Sequence, residues 1–321
     1  MDIRDSVRIK NVYTKNRIVM PPLACEKADD GRVSPDVRRF YEERCAGGKL
    51  GLVITEHCYI AKQGQAGARQ LSIAEDKCIE GLTELTEMIK SSGSPVFCQI
   101  NHAGLRSNSA ITGCEVVSAS ADPERGVRAL EPSEIHEITA LFAEAALRAK
   151  KAGYDGVELH AAHRFLLSQF FSPIYNKRRD GYGCESVQSR LRFTLETVSA
   201  VRASVGEDYP IAVRLGACDY MEGGNSISDG VEAAKLLEKA GVDLLDISGG
   251  ACGTAVPGRN EGRFSDVSKA IKEAVSIPVI VTGGVHSPEL AQQLLDHKCA
   301  DLIGVGSALI ANPHWADEVF R

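Results

Sequence analysis

Several signatures that would place the chain quickly are missing from it. Its ten cysteines (25, 45, 58, 78, 98, 114, 184, 218, 252 and 299) are scattered singly, and no two stand in a C-x-x-C pair. That spacing suits neither a zinc module nor an iron–sulfur cluster, so no metal ligand set is expected. A disulfide framework is equally unexpected in so long a chain without a secretion signal; reduced, mostly buried thiols are the reading. The N-terminus, MDIRDSVRIK, is charged and has no long apolar stretch, which argues against a signal peptide or membrane span and makes the cytoplasm the expected location. Positive charge is not in excess: the formal net charge is −6, against a nucleic-acid partner and for a small molecule. No G-x-G-x-x-G follows the first β-rich run, which counts against a Rossmann domain.

What is present is an alternation. Eight short β-rich runs appear: RIVMPPLA (17 to 24), LGLVITEHCYI (50 to 60), PVFCQINHAG (95 to 104), YDGVELHAAH (154 to 163), PIAVRLGACD (210 to 219), VDLLDISGGA (242 to 251), PVIVTGGV (278 to 285) and ADLIGVGSALI (300 to 310). Most are nearly continuous in apolar residues, as parallel strands covered on both faces require. Amphipathic helical segments separate them, such as 132 to 153 and 287 to 300; the latter has Ser287 as N-cap and Pro288 at the first helical position. The corners KAGYDGVEL (from 151), KAGVDLLDI (from 239) and HKCADLIGV (from 297) echo one another: a basic residue, a small-residue stop, an aspartate, then a strand. Eight strands in some 300 residues predict a single-domain (β/α)₈ TIM barrel over 1–321. The long polar segment 105–130 after the third strand is a candidate lid; its alternative is a surface excursion.

In such a barrel the strand ends converge on one mouth. They supply Ala24 and Cys25, Glu56 and His57, Gln99, Asn101 and His102, His160 and His163, Arg214, Ser248 to Gly250, Thr282 to Gly284 and Gly304 to Ser307. The corners TGGV and GVGS follow the last two strands, where barrels build a phosphate cradle, and so point to a phosphorylated ligand. Arg214 and Gln99 interrupt apolar strands and need partners: for Arg214 a carboxylate or a ligand, for Gln99 hydrogen bonds. The pair His160 and His163 admits three readings: an incomplete metal site, satisfied core histidines, or paired donors to one substrate oxygen, which suits a strand-end turn best.

The motifs NRIVMPPLA, QINHAG, ELHAAH followed by SPIYNKRRDGYG, AVRLGACDY and GVGSALIANP occur in this order over nearly the whole chain. Together they resemble the Old Yellow Enzyme family of FMN-dependent NAD(P)H:flavin oxidoreductases. The resemblance implies FMN at the barrel mouth, hydride from NADH or NADPH, and reduction of an activated alkene such as an enone or enal. By position it implies that the backbone of Pro21, Pro22, Leu23, Ala24 and His57 lies along the flavin ring. Gln99 and Arg214 would meet its pyrimidine side, and Gly284, Gly306 and Ser307 its phosphate. His160 and His163 match the pair that binds the substrate carbonyl oxygen.

Four positions depart from the family pattern. Ala24 stands where a threonine or cysteine is usual, with Cys25 one place late; Phe165 replaces the tyrosine that gives a proton to substrate; Ser307 replaces an arginine that clamps the phosphate; Arg164 replaces a glycine. Phe165, Arg164 and Cys25 are thus expected at the substrate pocket. With no proton on Phe165, solvent, Tyr175 or Tyr220 must supply one, or the acceptors are quinones or nitro compounds that need no positioned donor. A barrel that has lost catalysis and only binds a ligand is the third reading. Longer relatives carry iron–sulfur segments and nucleotide-binding domains after the barrel; this chain ends soon after its eighth strand, so no cluster is expected. Homo-oligomerisation is compatible with the sequence, which does not set the number of subunits.

Overall fold

In a computed structural model, which describes residues 1–320, all eight runs become parallel strands of one closed barrel. They span Ile18–Met20, Leu52–Tyr59, Val96–Asn101, Gly156–Ala161, Ile211–Cys218, Leu244–Gly249, Val279–Thr282 and Leu302–Gly304. Each pairs with the next, and the eighth closes on the first with Ile303 opposite Ile18. Helices lie between strands, including Pro132–Lys151 and Pro288–Asp296, the latter capped by the Ser287 hydroxyl as expected.

Side chains alternate along each strand, so each strand feeds two cores. One set, including Val96, Cys98, Ile100, Val157, Leu159, Val213 and Leu215, packs in the large cluster with the helices. The other set forms a separate plug inside the barrel: Val19, Leu52, Ile54, Phe97, Ala212, Leu244, Ile280 and Leu302. Burying such side chains stabilises by roughly 1.5–3 kcal/mol each. Gly156 is glycine because a Cβ there would strike the Phe97 ring. An N-terminal hairpin, Arg8–Ile9 with Val12–Tyr13, contributes Ile9 to the plug and packs Val7 and Val12 against it. Two residues further along the strands the same face turns polar: Gln99, Glu158, Arg214, Asp246 and Thr282. The interruptions noticed in the sequence are therefore one level of the barrel, directly above its plug.

The echoed corners are a repeated clamp at the opposite end. Asp155, which leads into the fourth strand, accepts the Val96 N–H that opens the third, at 2.9 Å, and pairs with Lys90 at 2.7 Å. Asp243, before the sixth strand, does the same for Ile211 at 2.9 Å and for Arg202 at 2.6 Å. Asp301, before the eighth, does so for Val279 at 2.9 Å and for Lys272 at 3.1 Å. Each aspartate satisfies a strand-start N–H and ties two αβ units together. Gly153 and Gly241 take the expected left-handed stop, whereas the third corner uses Lys298 at φ 55°.

The excursion 105–130 carries its own strand pair, Val116–Ser118 with Val127–Ala129. It is tied down by Ser118 to Gln169 at 2.9 Å and by the Arg178 guanidinium to the carbonyls of Ala119 and Leu130 at 3.0 and 2.6 Å. Among the described residues no helix is long and apolar enough to cross a membrane.

Candidate active site

A cavity of about 500 Å³ opens where the strands end. It gathers most of the expected residues: Pro21, Pro22, Leu23, Ala24, His57, Gln99, His160, His163, Arg164, Phe165, Arg214, Gly284, Gly306 and Ser307 all line it. The TGGV and GVGS corners meet there because the consecutive strands that carry them, Val279–Thr282 and Leu302–Gly304, pair side by side. Gly283 and Gly284 sit at φ 148° and 71°, and a Cβ on Gly284 would collide with the Asn260 carbonyl. That bend leaves backbone as the wall of the cavity, which a phosphate can approach closely.

Cys25 is the exception and corrects the expectation. It does not line the cavity; its thiol turns away and donates to Glu56 Oε1 at 2.8 Å. The strand has ended at Met20, and the extended segment that lays Pro21 to Ala24 along the cavity turns at Cys25, whose N–H and thiol both donate to the Glu56 carboxylate. Burial pushes the Glu56 carboxyl up to about 7, and burial with the adjacent Glu56 pushes the Cys25 thiol well above its usual range. Asn101 and His102 are likewise spent on structure. Asn101 Oδ1 accepts from Gln70 at 2.9 Å, and His102 Nδ1 accepts the Gly104 N–H at 3.1 Å.

The polar level above the plug is one network. Gln99 Nε2 donates to Glu158 Oε1 at 2.8 Å, which fixes the amide and leaves Gln99 Oε1 buried and without a partner. The question posed by Arg214 is answered by a carboxylate: its Nε lies 3.1 Å from Asp246 Oδ2, too far out of line for a hydrogen bond but an ionic contact. Asp246 Oδ1 accepts from Thr282 at 2.8 Å. Burial, then the neighbouring Asp246, hold the Glu158 carboxyl well above the usual range, with Arg214 opposing. Glu158 and Asp246 were not singled out from the sequence. Period-2 spacing from Gly156 and Leu244 would have flagged them, but acidic residues on strands rarely draw notice beside an arginine.

His160 and His163 meet edge to face, with centroids 5.3 Å apart at 84°. Burial, reinforced by surrounding positive charge, holds both far below the usual histidine range, so both rings are neutral and each carries one N–H. His160 Nδ1 has no partner, while His163 Nε2 lies 2.7 Å from the Ser248 hydroxyl. His57 completes the cluster, 5.2 Å from the Phe165 ring, and burial lowers it to about 4. Phe165 lies 4.3 Å from His160 at a tilt of 36°. Neither tyrosine considered as a proton source lines the cavity. Tyr220 donates to Asp266 Oδ1 at 2.6 Å, and Tyr175 stands beside Arg164, its phenol raised by burial.

Two cations that the sequence reading missed also line the cavity. Arg106 comes from the turn Gly104–Arg106, and Arg263 from the loop after the sixth strand. Arg263 adjoins the glycine corner: its N–H donates to the Gly283 carbonyl at 3.0 Å and its Nη1 to the Thr254 carbonyl at 3.0 Å. Neither residue sits on a periodic element, so nothing in the apolar pattern pointed to them.

Fold and site together define a (β/α)₈ barrel with a polar, cationic cavity at its strand ends, one end of it walled by two glycine corners. The chain belongs to the NADH:flavin oxidoreductase / NADH oxidase family, whose model matches residues 5–320; this is the family to which the strand-end motifs pointed. It is 41% identical over 320 residues to an NADH oxidase of Thermoanaerobacter brockii, covering 96% of this chain and 49% of that protein, so the chain spans about half the length of that relative. It is 37% identical over 315 residues to an NADPH dehydrogenase of Halalkalibacterium halodurans, covering 97% of this chain and 91% of that protein. The old yellow enzyme homologue of Zymomonas mobilis superposes with a TM-score of 0.87 at 27% identity, covering all of this chain and 92% of the other.

The family implies FMN, and the residues present fit it. Gln99 Oε1 is a buried acceptor aimed at nothing in the protein, Arg214 lines the same wall, and an arginine, two glycine corners and Ser307 surround the other end. An unmatched buried acceptor is costly unless a ligand N–H meets it.

Proposed function

We propose that the chain is an FMN-dependent oxidoreductase that takes hydride from NADH or NADPH and reduces an activated alkene whose carbonyl oxygen His160 and His163 hold. The observation that carries this is the convergence of a neutral histidine pair, an unmatched Gln99 acceptor and two glycine corners on one cavity. When bound, FMN would supply hydride transfer in two halves, from nucleotide and then to acceptor. Gln99 and Arg214 would hold its pyrimidine edge, the backbone of Pro21 to Ala24 and of His57 its ring, and Gly284, Gly306, Ser307 and Arg263 its phosphate.

The protein's own part is positioning and polarisation. Neutral imidazoles donate to a carbonyl oxygen without the cost of burying a cation, and the charge that develops on that oxygen strengthens both bonds. The Ser248 hydroxyl must release His163 Nε2 for that nitrogen to serve, an exchange of one hydrogen bond for another. Asp246 neutralises part of the Arg214 charge and Thr282 steadies Asp246.

A second reading is favoured by one observation: among the described residues no tyrosine lines the cavity, and Phe165 has no proton to give. Quinones and nitro compounds would then be better acceptors than enones. The visible spectrum of the purified protein, followed by anaerobic titration with NADH and NADPH, tests the main proposal. A yellow protein bleached by either nucleotide supports it, and a colourless protein that stays so after FMN is added overturns it. Steady-state comparison of cyclohexenone with a quinone then chooses between acceptors: comparable rates reject the second reading.

A further inference from the structure

The cavity holds more positive charge than a flavin accounts for. Arg106, Arg164, Arg214 and Arg263 line it, and among the described residues no aspartate or glutamate does, in a chain whose acidic residues outnumber its basic ones, 43 to 37. Arg214 is matched by Asp246, and Arg263 lies by the glycine corner at the far end. That leaves Arg106 and Arg164 on the histidine side. Among the described residues neither forms an ion pair with a carboxylate; Arg164 Nε is buried without a hydrogen-bond partner, and the Tyr175 phenol stands against the same guanidinium. Burial, then the Arg164 charge, lower Arg106, so the two guanidinium groups act on one another, with the Tyr175 phenol beside both.

The backbone adds an independent observation. His163 and Arg164 are consecutive left-handed residues, at φ 54° and 66°, a conformation that glycine takes freely and other L-residues rarely adopt. A long cationic side chain held there against steric cost, at the mouth of a ligand cavity, marks a functional constraint. The Gln169 amide pins this turn by donating to the Arg164 carbonyl at 2.6 Å. Arg164 is thereby held over Gly253, where its Nη2 would stand 3.4 Å from an added Cβ. Arg106 reaches the same region from the other side: its guanidinium carbon is 5.1 Å from the Phe165 centroid, and that ring is 4.3 Å from His160. The cation and the histidine pair thus lie within the length of one small molecule, with the Phe165 face between them.

We infer that Arg106 and Arg164 form an anion subsite beside His160 and His163, and that the acceptor is a conjugated enone or enal carrying a carboxylate a few bonds from its carbonyl. This rests on the proposed hydride-transfer role of the cavity. The chemistry of that role is unchanged: hydride from NAD(P)H adds at the β-carbon and a proton from solvent at the α-carbon. The alkene is reduced and the nucleotide oxidised; the carboxylate is only held. A phosphate of the donor nucleotide offers the same chemistry to the two arginines, and the test separates the two sources.

The test compares a cyclohexenone bearing a carboxymethyl group with its methyl ester, on holoenzyme and on the variants Arg164→Gly and Arg106→Gln. Arg164→Gly suits the left-handed backbone, so loss of folding does not confuse the result. The first readout is dissociation constants from the spectral shift of the oxidised holoenzyme, the second the acid-to-ester ratio of kcat/KM. The acid is expected to bind about 10-fold more tightly than the ester, with the advantage collapsing in either variant and shrinking at high salt. Equal binding of acid and ester overturns the inference, as does an advantage that survives both substitutions. Variants that weaken NADH or NADPH and leave the acid unaffected also overturn it, since the subsite then belongs to the nucleotide. Failure of the underlying proposal shows separately, as a flavin that neither nucleotide bleaches.

Discussion

Replacing Arg263 with alanine tests the reading of the phosphate end. In this chain Ser307 offers one hydroxyl where the family resemblance implies a guanidinium, and Arg263 is the cation nearest the Gly283–Gly284 corner. Its side chain is held by the Thr254 carbonyl at 3.0 Å, so ordering it on a ligand costs little further entropy. A hydrogen bond from a cation to an anion contributes roughly 1.5–3 kcal/mol. Arg263 is only half-buried, and solvent screening moves the expectation to the lower part of that range, about 1.5–2 kcal/mol. FMN should therefore bind about 10- to 30-fold more weakly to Arg263→Ala. Flavin fluorescence quenching on titration of apoprotein measures it, with riboflavin, which lacks the phosphate, as the control. Riboflavin affinity should stay within about 2-fold, and adding Ser307→Arg to the variant should restore much of the FMN affinity. An FMN loss under about 3-fold, or an equal loss for riboflavin, would refute the assignment of Arg263 to the phosphate.

Other expectations follow from the same geometry. His160→Ala with His163→Ala removes two neutral donors, about 1 kcal/mol each, so phenol or enone affinity should fall about 30-fold with FMN retained; unchanged affinity in a spectral titration removes the pair from the acceptor site. Phe165→Tyr puts a hydroxyl beside His160 and should raise enone turnover at least about 10-fold relative to quinone turnover; equal ratios in the two proteins would show that the proton is not limiting. Asp243→Ala leaves the Ile211 N–H unmatched and breaks the Arg202 and Lys10 ion pairs, costing about 2–4 kcal/mol, or about 3–6 °C in Tm by calorimetry. A shift under about 1 °C would mean the clamp is redundant. His102, lowered to about 4 by burial alone, binds its proton more weakly folded than unfolded. Stability is therefore lost as pH falls from about 6.5 towards 4, by about 1.4 kcal/mol per pH unit. His102→Gln should flatten the acid side of urea-unfolding free energies by that slope, and an unchanged slope would show that the buried ring titrates normally.

The sequence showed the barrel because parallel strands buried on both faces leave a strong local trace, and the same period placed Gln99, Arg214 and the histidine pair at one mouth. Legibility ended where a position depended on side-chain direction or on a loop's course. Cys25 and Ala24 are adjacent, yet the loop that follows the first strand sends Ala24 into the cavity and the Cys25 thiol to Glu56, so a shift of one place in a motif changes the occupant entirely. Arg214 posed a choice between carboxylate and ligand that only strand register could settle: Asp246 stands opposite it on the neighbouring strand, 32 residues later. Arg106 and Arg263 left no trace, because the loops that deliver them carry no period and their meaning arises only when four arginines converge and Arg214 alone among them has a carboxylate partner, Asp246. Most exposed loop arginines are solvated and neutral in consequence. These became informative through an absence that no linear reading can register: among the described residues no carboxylate lines the cavity they share.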